Sequence, residues 1–317
     1  MSLFNQRGGL LITILTSAVV GVGIIVTSLL LTRPSSDDVG AVPLEATADY
    51  GRRLLRDTAA LMGPNHENPE QRYTGSHLDC ASCHLDTGTK PGTLSLMQSA
   101  SRYPRFSGRD GFEGDLRDRI NGCMTRSMNG RELARDSVEM ISMELYIQSL
   151  GTQYAAMSES RRAAVEPAAF KEPARAADIA AGQVVYEQRC QVCHGVEGQG
   201  LQATLDLNEG YLFPPLWGPD SFNNGAGMGR VLTASLFIKA RMPLGQPDLT
   251  DDQAFDVAGY INAQERPQMA NLEKDYPDRT TKPVDSPYPP YADEFSVEQH
   301  RFGPFGPIRA YYENLSK

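Results

Sequence analysis

Cys80-Ala81-Ser82-Cys83-His84 and Cys190-Gln191-Val192-Cys193-His194 are the two stretches that decide the fold of this 317-residue chain. In each, a histidine follows two cysteines separated by two residues, which is the attachment signature of a c-type haem. The side chains that would bond the porphyrins or ligate the irons are Cys80, Cys83, His84, Cys190, Cys193 and His194. A cysteine pair alone could instead be redox-active or form half of a zinc site, but a histidine after both pairs disfavours these alternatives. We therefore predict two covalently attached c-type haems.

Helical patterns flank the first motif. Tyr50 and Leu54 are spaced as on one face of a helix that starts near Thr47. Residues 136–150 have a second apolar face, and Gly151 is placed to act as its C-cap. The pattern resembles the terminal helix of a cytochrome c.

The same order of elements recurs around the second motif. Residues 178–186 precede it as a helix, and Thr250 with Gln253 forms a capping box for a terminal helix. Ala254, Val257 and Ile261 form an apolar stripe on that helix. The predicted fold class is therefore all-α, with two cytochrome c-like haem domains in tandem.

The N-terminus has a long apolar run. No charged residue occurs from Gly8 to Thr32, which is long enough for a membrane-spanning helix. A cleaved secretory signal would be shorter and would end in a small-residue site, which is not evident after Leu31. We expect an uncleaved anchor with Arg7 on the cytoplasmic side, and haem domains on the periplasmic side after Arg33. Membrane anchoring through this helix is the predicted location.

Composition divides the rest of the chain. An Ala-, Arg- and Pro-rich stretch separates the two motifs' domains, and the last residues are rich in Pro and Tyr, too aromatic for a solvated tail. The predicted organisation is a cytoplasmic N-terminus and transmembrane anchor (1–33), a tether (34–45), cytochrome c-like domain 1 with haem 1 (46–151), a linker (152–176), cytochrome c-like domain 2 with haem 2 (177–270) and an extended C-terminal tail that packs on the domains (271–317).

The second haem needs a ligand opposite His194. Met228, Met242 and Met269 are the candidate thioethers in that half of the chain. Met242 is preferred because it comes shortly before the terminal helix, where a cytochrome c usually carries its methionine loop. A His/Met pair raises the reduction potential and suits outer-sphere electron transfer. We expect haem 2 to be the electron exit.

The first haem is less clear from residue types. Cys123, the one cysteine outside the two motifs, lies where a distal ligand is expected, beside Met124 and Met128. Cys123 could be a thiolate ligand with His84 on the other side, which points to sulfur chemistry, or a buried thiol with a methionine as ligand. Residue types alone leave these two alternatives open.

Charge patterning favours the thiolate. The chain has a net charge of −9, which disfavours nucleic-acid binding, yet eight arginines and no lysine occur between positions 102 and 135. They are Arg102, Arg105, Arg109, Arg117, Arg119, Arg126, Arg131 and Arg135. For each arginine a propionate or carboxylate partner is the more ordinary explanation, but two or three suffice for a dianion. We predict a site that holds a small sulfur oxyanion beside a reactive sulfur.

The chain resembles the dihaem thiosulfate dehydrogenases, which also act as tetrathionate reductases. The resemblance covers about residues 45–317 and is carried by the first haem motif and by three further stretches. These are Arg119-Ile120-Asn121-Gly122-Cys123-Met124-Thr125-Arg126-Ser127-Met128-Asn129-Gly130, Arg241-Met242-Pro243-Leu244-Gly245, and the tail sequences Pro287-Tyr288-Pro289-Pro290-Tyr291-Ala292-Asp293 and Phe302-Gly303-Pro304-Phe305.

The resemblance implies that two thiosulfates are coupled into tetrathionate at haem 1, with His84 and Cys123 as axial ligands. It implies that the Cys123 sulfur takes part, as an adduct with a thiosulfate-derived group, and that Arg109, Arg119 and Ser127 hold the anion. Electrons would pass to haem 2 and on to a periplasmic acceptor, such as a small c-type cytochrome or a membrane redox complex.

Two features depart from that family. Some relatives have a lysine before the haem 2 methionine that can replace it, whereas Arg241 stands there in this chain and only Lys239 is near in sequence. Relatives are mostly soluble periplasmic proteins, whereas an anchor is expected here.

Two other functions remain open. The chain could be a non-catalytic dihaem electron-transfer subunit of a membrane respiratory or photosynthetic complex, or it could carry sulfur as a persulfide of Cys123. His66, His77 and His300 are interpreted as surface or satisfied core histidines.

Overall fold

The computed structural model describes residues 45–163, 165 and 169–315. Within the first half of the chain the helices and strands are α1 (Ala48–Arg56), α2 (Thr58–Met62), β1 (Arg105–Ser107), β2 (Phe112–Gly114), α3 (Leu116–Arg126), α4 (Val138–Ala155) and α5 (Glu159–Ala163). Those of the second half are α6 (Ile179–Arg189), α7 (Gln191–His194), β3 (Leu201–Gln202), β4 (Tyr211–Phe213), α8 (Val231–Arg241), α9 (Asp251–Ala263), α10 (Val297–Phe302) and α11 (Gly306–Leu315).

Each half is built on one close helix crossing. A Cβ atom on Gly51 of α1 would lie 1.9 Å from the carbonyl oxygen of Ser142 on α4. A Cβ atom on Gly182 of α6 would lie 2.0 Å from the carbonyl oxygen of Asp256 on α9. The helix before each haem motif therefore touches the terminal helix of its half backbone to backbone, which only glycine allows. The repeated crossing supports the prediction of two tandem domains of the same plan.

Two helices begin at the capping residues that the sequence predicts, whereas one predicted helix end is not found. The Thr47 hydroxyl accepts from the Tyr50 N–H at 3.1 Å, and Thr250 and Gln253 form the predicted capping box. Gly151 does not end α4, which continues to Ala155 because the Ala156 N–H bonds the Thr152 carbonyl oxygen at 3.1 Å. The predicted C-cap was therefore wrong: Gly151 has helical geometry, and the helix runs one turn further.

Two hydrophobic clusters form the core, the first mainly from the first half with Phe222 and Ala226 added, and the second from the second half. The first includes Tyr50, Leu54, Met124, Met140 and Leu150. The second is built from other residues, among them Tyr186, Phe255, Val257, Phe302 and Ile308. Each haem motif therefore lies beside its own core.

The fold is mostly helical, but the prediction of an all-α class needs a correction. Two short antiparallel sheets are present, β1 with β2 and β3 with β4. In the first, Arg105 pairs with Gly114 and Ser107 pairs with Phe112, so the turn between them lies at residues 108–111. A turn this tight presents its side chains to neighbouring segments.

The C-terminal tail (residues 271–317) is only partly extended. It ends in α10 and α11, and α10 begins where the Ser296 hydroxyl accepts from the Gln299 N–H at 3.1 Å. Phe302, Phe305 and Ile308 are buried in the second core. Phe302 ends α10, Ile308 lies in α11 and Phe305 lies between the two helices, so both helices and their connection pack on the second core.

The predicted membrane anchor requires a second correction. Crossing a bilayer takes about 20 consecutive apolar residues in a helix. Among residues 45–163 and 169–315 no helix combines that length with that apolarity, and the 18-residue α4 contains Glu139 and Glu144. The predicted span, residues 8–32, lies outside the described residues. The membrane-anchored location is therefore without support from the described residues and is not carried further.

Candidate functional site

The first haem motif folds as a tight turn. The Cys80 N–H donates to the Thr58 hydroxyl at 3.0 Å, and the His84 N–H donates to the Cys80 carbonyl oxygen at 2.9 Å. The Nδ1 atom of His84 lies 2.8 Å from the carbonyl oxygen of Leu94. This bond takes the Nδ1 proton and fixes the ring, which leaves Nε2 as the atom that would ligate the iron.

The second haem motif repeats this geometry. The His194 N–H donates to the Cys190 carbonyl oxygen at 2.9 Å, and His194 Nδ1 lies 2.8 Å from the carbonyl oxygen of Pro214. Burial lowers the pKa of His194, which keeps its imidazole neutral. A neutral imidazole with Nδ1 occupied is the form that ligates iron through Nε2.

The donor sets fit covalently attached haem. None of the five cysteines is in a disulfide. Burial raises the pKa of Cys80 to about 12, and burial raises the pKa values of Cys83 and Cys190 to about 11. These half-buried sulfurs are placed as the thiols that thioether bonds to a haem would consume.

Cys123 lies opposite His84. Arg119 Nη1 donates to Cys123 Sγ at 3.1 Å, and the His84 side chain is a second hydrogen-bond partner of this sulfur. Burial would raise the pKa of Cys123, but Arg119, His84 and Arg109 lower it to about 7. The thiol is thus more readily ionised than an ordinary cysteine, and it faces the imidazole of the first motif.

The alternative ligands of the first haem point elsewhere. Met124 is fully buried and Met128 is 3% exposed, and both belong to the first hydrophobic cluster. Their sulfurs fill the core beneath α3. The geometry therefore brings Cys123, and not Met124 or Met128, to the face of His84.

Most of the eight arginines have other partners. Arg117 pairs with Glu144, Arg126 with Asp275, and Arg135 with Asp115 and Asp118. Arg131 donates to the Glu70 and Arg72 carbonyl oxygens, Arg102 to Gln98, and Arg105 stacks over Tyr103. Arg119 contacts Cys123 Sγ at 3.1 Å, and Arg109 is the second arginine whose charge lowers the pKa of this thiol.

Arg109 lies in the β1–β2 turn, and its carbonyl oxygen accepts from the Tyr276 N–H at 2.7 Å. Its Nε atom is buried without a partner among the described residues. Burial lowers the pKa of Arg109, but the nearby oxygens of Tyr276, Tyr288 and Asp275 raise it above its ordinary value. A buried guanidinium with a free N–H is suited to an anionic ligand.

Ser127 ends α3, one turn after Cys123. Its backbone N–H donates to the Cys123 carbonyl oxygen, and the residue is half-buried. The predicted set Cys123, Arg119 and Ser127 is thus carried by one helix end, while Arg109 reaches it from the hairpin.

The candidate ligands of the second haem are separated by the structure. Met242 directly follows α8 and packs against the second cluster. Met228 contacts both clusters, and the sulfur of Met269 lies near Gly225. Lys239 Nζ donates to the Leu249 carbonyl oxygen at 2.6 Å, so that lysine is already engaged.

Several histidine contacts in the structure could not be predicted from the sequence. His77 Nδ1 lies 3.0 Å from Asp220 Oδ1 of the second half, and His300 Nδ1 lies 2.8 Å from the Val284 carbonyl oxygen. These are satisfied histidines, as is His66 with Asn68. The approach of the C-terminal tail to Arg109 was not expected either, although its aromatic content was a hint that the tail is packed.

Comparisons with known proteins give a consistent family. Residues 71–154 match the model of the SoxA/TsdA cytochrome c domain, and residues 177–261 match one described as cytochrome c oxidase, cbb3-type, subunit III. The chain is 40% identical to a thiosulfate dehydrogenase of Allochromatium vinosum, over 68% of this chain and 77% of that protein. It is 36% identical to one of Stutzerimonas stutzeri, over 75% of this chain and 74% of that protein.

A solved structure is also similar. The thiosulfate dehydrogenase TsdBA from Marichromatium purpuratum, in its as-isolated form, aligns with a TM-score of 0.62 and 32% identity. The alignment covers 76% of this chain and 53% of that chain, so this chain spans about half of the TsdBA length.

Proposed function

The chain belongs to the thiosulfate dehydrogenase family, and we propose that it oxidises two thiosulfates to tetrathionate at the site of Cys123. It is a dihaem cytochrome c, and the two bound haems supply acceptors for the two electrons released. The observation that carries the proposal is the Arg119 guanidinium 3.1 Å from Cys123 Sγ, on the side facing His84.

The arginines bind the substrate. Thiosulfate is a dianion, and two of them must approach one sulfur. Arg109 and Arg119 are the two arginines of the 102–135 segment that lie beside Cys123, so their charges are available to offset this repulsion. Ser127 closes the same helix end and adds a hydroxyl to the site.

Cys123 is the covalent group. In the first step its thiolate joins the terminal sulfur of one thiosulfate, giving Cys–S–S–SO₃⁻ and releasing two electrons. In the second step the terminal sulfur of another thiosulfate attacks the middle sulfur, forming tetrathionate and expelling the Cys123 thiolate. A low thiol pKa makes Sγ a good leaving group, which is what Arg119 provides.

The second half passes electrons outward. We propose His194 and Met242 as its ligands and a small c-type cytochrome or a redox complex as the acceptor. Val192 in the attachment motif is 84% exposed and Leu244 beside Met242 is 59% exposed. Apolar residues exposed at these two places suit contact with another redox protein.

The two domains keep the proposed bounds 46–151 and 177–270, with one adjustment. Since α4 runs to Ala155, the first domain is better ended there. The family-model match over 71–154 supports the adjustment.

Assaying the purified dihaem protein with thiosulfate and an artificial acceptor tests the function. We expect tetrathionate formation, and we expect Arg119→Gln to reduce kcat/KM by about 100-fold, as loss of a charged anchor does. Arg102→Gln, which removes an exposed arginine bonded to Gln98, is the matched control and should keep full activity. A pure electron-transfer subunit would show no turnover in any of these preparations.

A further inference from the structure

The C-terminal tail lies directly against the hairpin that carries Arg109. The Tyr276 N–H donates to the Arg109 carbonyl oxygen at 2.7 Å. A Cβ atom on Gly111 would lie 2.9 Å from Pro277 Cγ, and one on Gly108 would lie 3.0 Å from Thr281 Oγ1. The β1–β2 turn and the tail are thus in contact on both sides of Arg109.

The side chain of Tyr276 contacts Arg109 as well. Tyr276 is 6% exposed, and its hydroxyl oxygen is a hydrogen-bond partner of the Arg109 guanidinium. The residue has a φ of +57°, a left-handed conformation that is unfavourable for a bulky residue. Contacts on both the backbone and the side chain hold it there.

The neighbouring residue ties the tail to the helix of Cys123. Arg126 Nη1 and Nη2 each donate to the Asp275 carboxylate at 2.8 Å, and the Tyr288 hydroxyl donates to Asp275 Oδ2 at 2.7 Å. Arg126 is on α3, three residues after Cys123. Adjacent tail residues therefore touch the two elements that carry the anion site.

A buried cation fixes the rings of the tail. Lys282 is 4% exposed, and its Nζ lies 4.6 Å from the ring centroid of Tyr288 and 5.8 Å from that of Tyr276. It also donates to the Pro290 carbonyl oxygen at 3.0 Å. Cation–π contacts of this kind restrict the positions that the two rings can take.

We propose that Tyr276 is a positioning residue of the anion site, whose hydroxyl oxygen accepts from the Arg109 guanidinium and aims it at the substrate beside Cys123. This inference rests on the proposed function. A phenol is suited to the task because it is neutral. A carboxylate in its place would orient Arg109 equally well but would cancel the charge that a dianion needs.

Tyr276→Phe tests the inference, since it removes one oxygen and keeps the ring. We expect KM for thiosulfate to rise roughly fivefold to tenfold, as for one hydrogen bond to a charged group, with kcat changed less than about twofold. Tyr291→Phe is the matched control, because Tyr291 belongs to the same tail and its hydroxyl donates to the Ser286 carbonyl oxygen at 2.9 Å. An unchanged KM in Tyr276→Phe, or an equal rise in Tyr291→Phe, overturns the inference.

A double-mutant cycle shows whether Tyr276 acts through Arg109. In an Arg109→Lys background, Tyr276→Phe should raise KM by less than about twofold, because the guanidinium that it orients is gone. Full additivity of the two substitutions would mean that Tyr276 only supports the fold, and it would overturn the inference.

Alkylation of Cys123 gives a readout that does not need thiosulfate turnover. With both haems attached, Cys123 is the one cysteine without a thioether bond, and Arg109 should favour anionic iodoacetate over neutral iodoacetamide. We expect the ratio of the two alkylation rates, measured on the reduced holoprotein by mass spectrometry, to fall several-fold in Tyr276→Phe and to stay constant in Tyr291→Phe. An unchanged ratio overturns the inference, whereas absent thiosulfate turnover in the unaltered protein would refute the proposed function alone.

Discussion

Arg241 of the second domain is hydrogen-bonded to Thr93 of the first, with Nη2 3.2 Å from the Thr93 carbonyl oxygen. Arg241 directly precedes Met242, and Thr93 directly precedes Leu94, whose carbonyl oxygen orients His84 at 2.8 Å. The residue beside the ligand candidate of one haem thus contacts the loop that orients the ligand candidate of the other. This contact connects the two candidate sites by a short chain of covalent and hydrogen bonds.

Replacing Arg241 should weaken this contact. Arg241→Gln loses its bonds to the Thr93 and Pro91 carbonyl oxygens, and we expect the free energy of unfolding to fall by about 1 kcal/mol. Urea unfolding of the holoprotein measures the loss. Arg189→Gln is the control, because Arg189 pairs with Asp248 at the surface of the second domain. Its replacement should reduce the free energy of unfolding by only about a few tenths of a kcal/mol. Equal losses in both variants would contradict a special role for the interdomain bond.

The helix crossing of the first domain should not tolerate a methyl group. Gly51→Ala places a Cβ atom 1.9 Å from the Ser142 carbonyl oxygen and 2.9 Å from Tyr146 Cβ, so α1 and α4 must separate. We expect a loss of about 3 kcal/mol or more, measured as a lower Tm and a lower yield of haem-loaded protein. Gly227→Ala, where a Cβ atom would meet nothing within 4 Å, should be nearly neutral. A stable Gly51→Ala protein would refute the close crossing.

Lys239 should not serve as a ligand of the second haem. Its Nζ is held by the Leu249 carbonyl oxygen at 2.6 Å and lies 3.7 Å from Asp251 Oδ1. Lys239→Gln should therefore leave the absorption spectrum and reduction potential of haem 2 unchanged, whereas Met242→Gln should alter both. The reverse pattern, with the lysine variant altering haem 2, would show that Lys239 leaves its contacts with Leu249 and Asp251 to bind the iron.

The bond between His77 and Asp220 should make the domain contact sensitive to acid. Asn65 Nδ2 lies 2.9 Å from His77 Nε2, so Nδ1 donates to Asp220 at 3.0 Å. Burial would raise the pKa of Asp220, but bonds from His77 and Tyr211 lower it below its ordinary value of 3.8. Its contribution is complete above about pH 4 and is lost as the pH falls through the lowered pKa.

Asp220→Asn should reduce the free energy of unfolding by about 1–3 kcal/mol at pH 7 and remove that part of the acid dependence. Thermal unfolding between pH 3 and 7 measures both effects. If wild type and Asp220→Asn lose stability in parallel below pH 4, another carboxylate is responsible.

Local signals explain what the sequence could predict. The two haem motifs, and the capping box of Thr250 and Gln253, are complete within a few neighbouring residues, so they were visible without a structure. Cys123 could be singled out by cysteine usage, and Arg119 lies one helical turn before it. This part of the site required no knowledge of distant contacts.

Long-range contacts explain what the sequence could not predict. Arg126 and Asp275, like Arg109 and Tyr276, meet only when the tail folds back on the first domain. The eight arginines looked alike in sequence, because only their partners separate those that stabilise the fold from those at Cys123. Gly151 was misassigned as a cap for a similar reason: a glycine near a helix end often stops it, but here the backbone bonds continue to Ala155.

The account depends on the sulfur of Cys123 facing His84 at the first haem. The most direct test is to identify the axial ligands of both haems by magnetic circular dichroism and electron paramagnetic resonance, in the oxidised holoprotein and in Cys123→Gly. We predict one thiolate-ligated and one methionine-ligated haem, with the thiolate signal and thiosulfate oxidation both lost in Cys123→Gly while both haems stay attached. A methionine or second histidine at the first haem, or undiminished turnover in Cys123→Gly, would contradict the account.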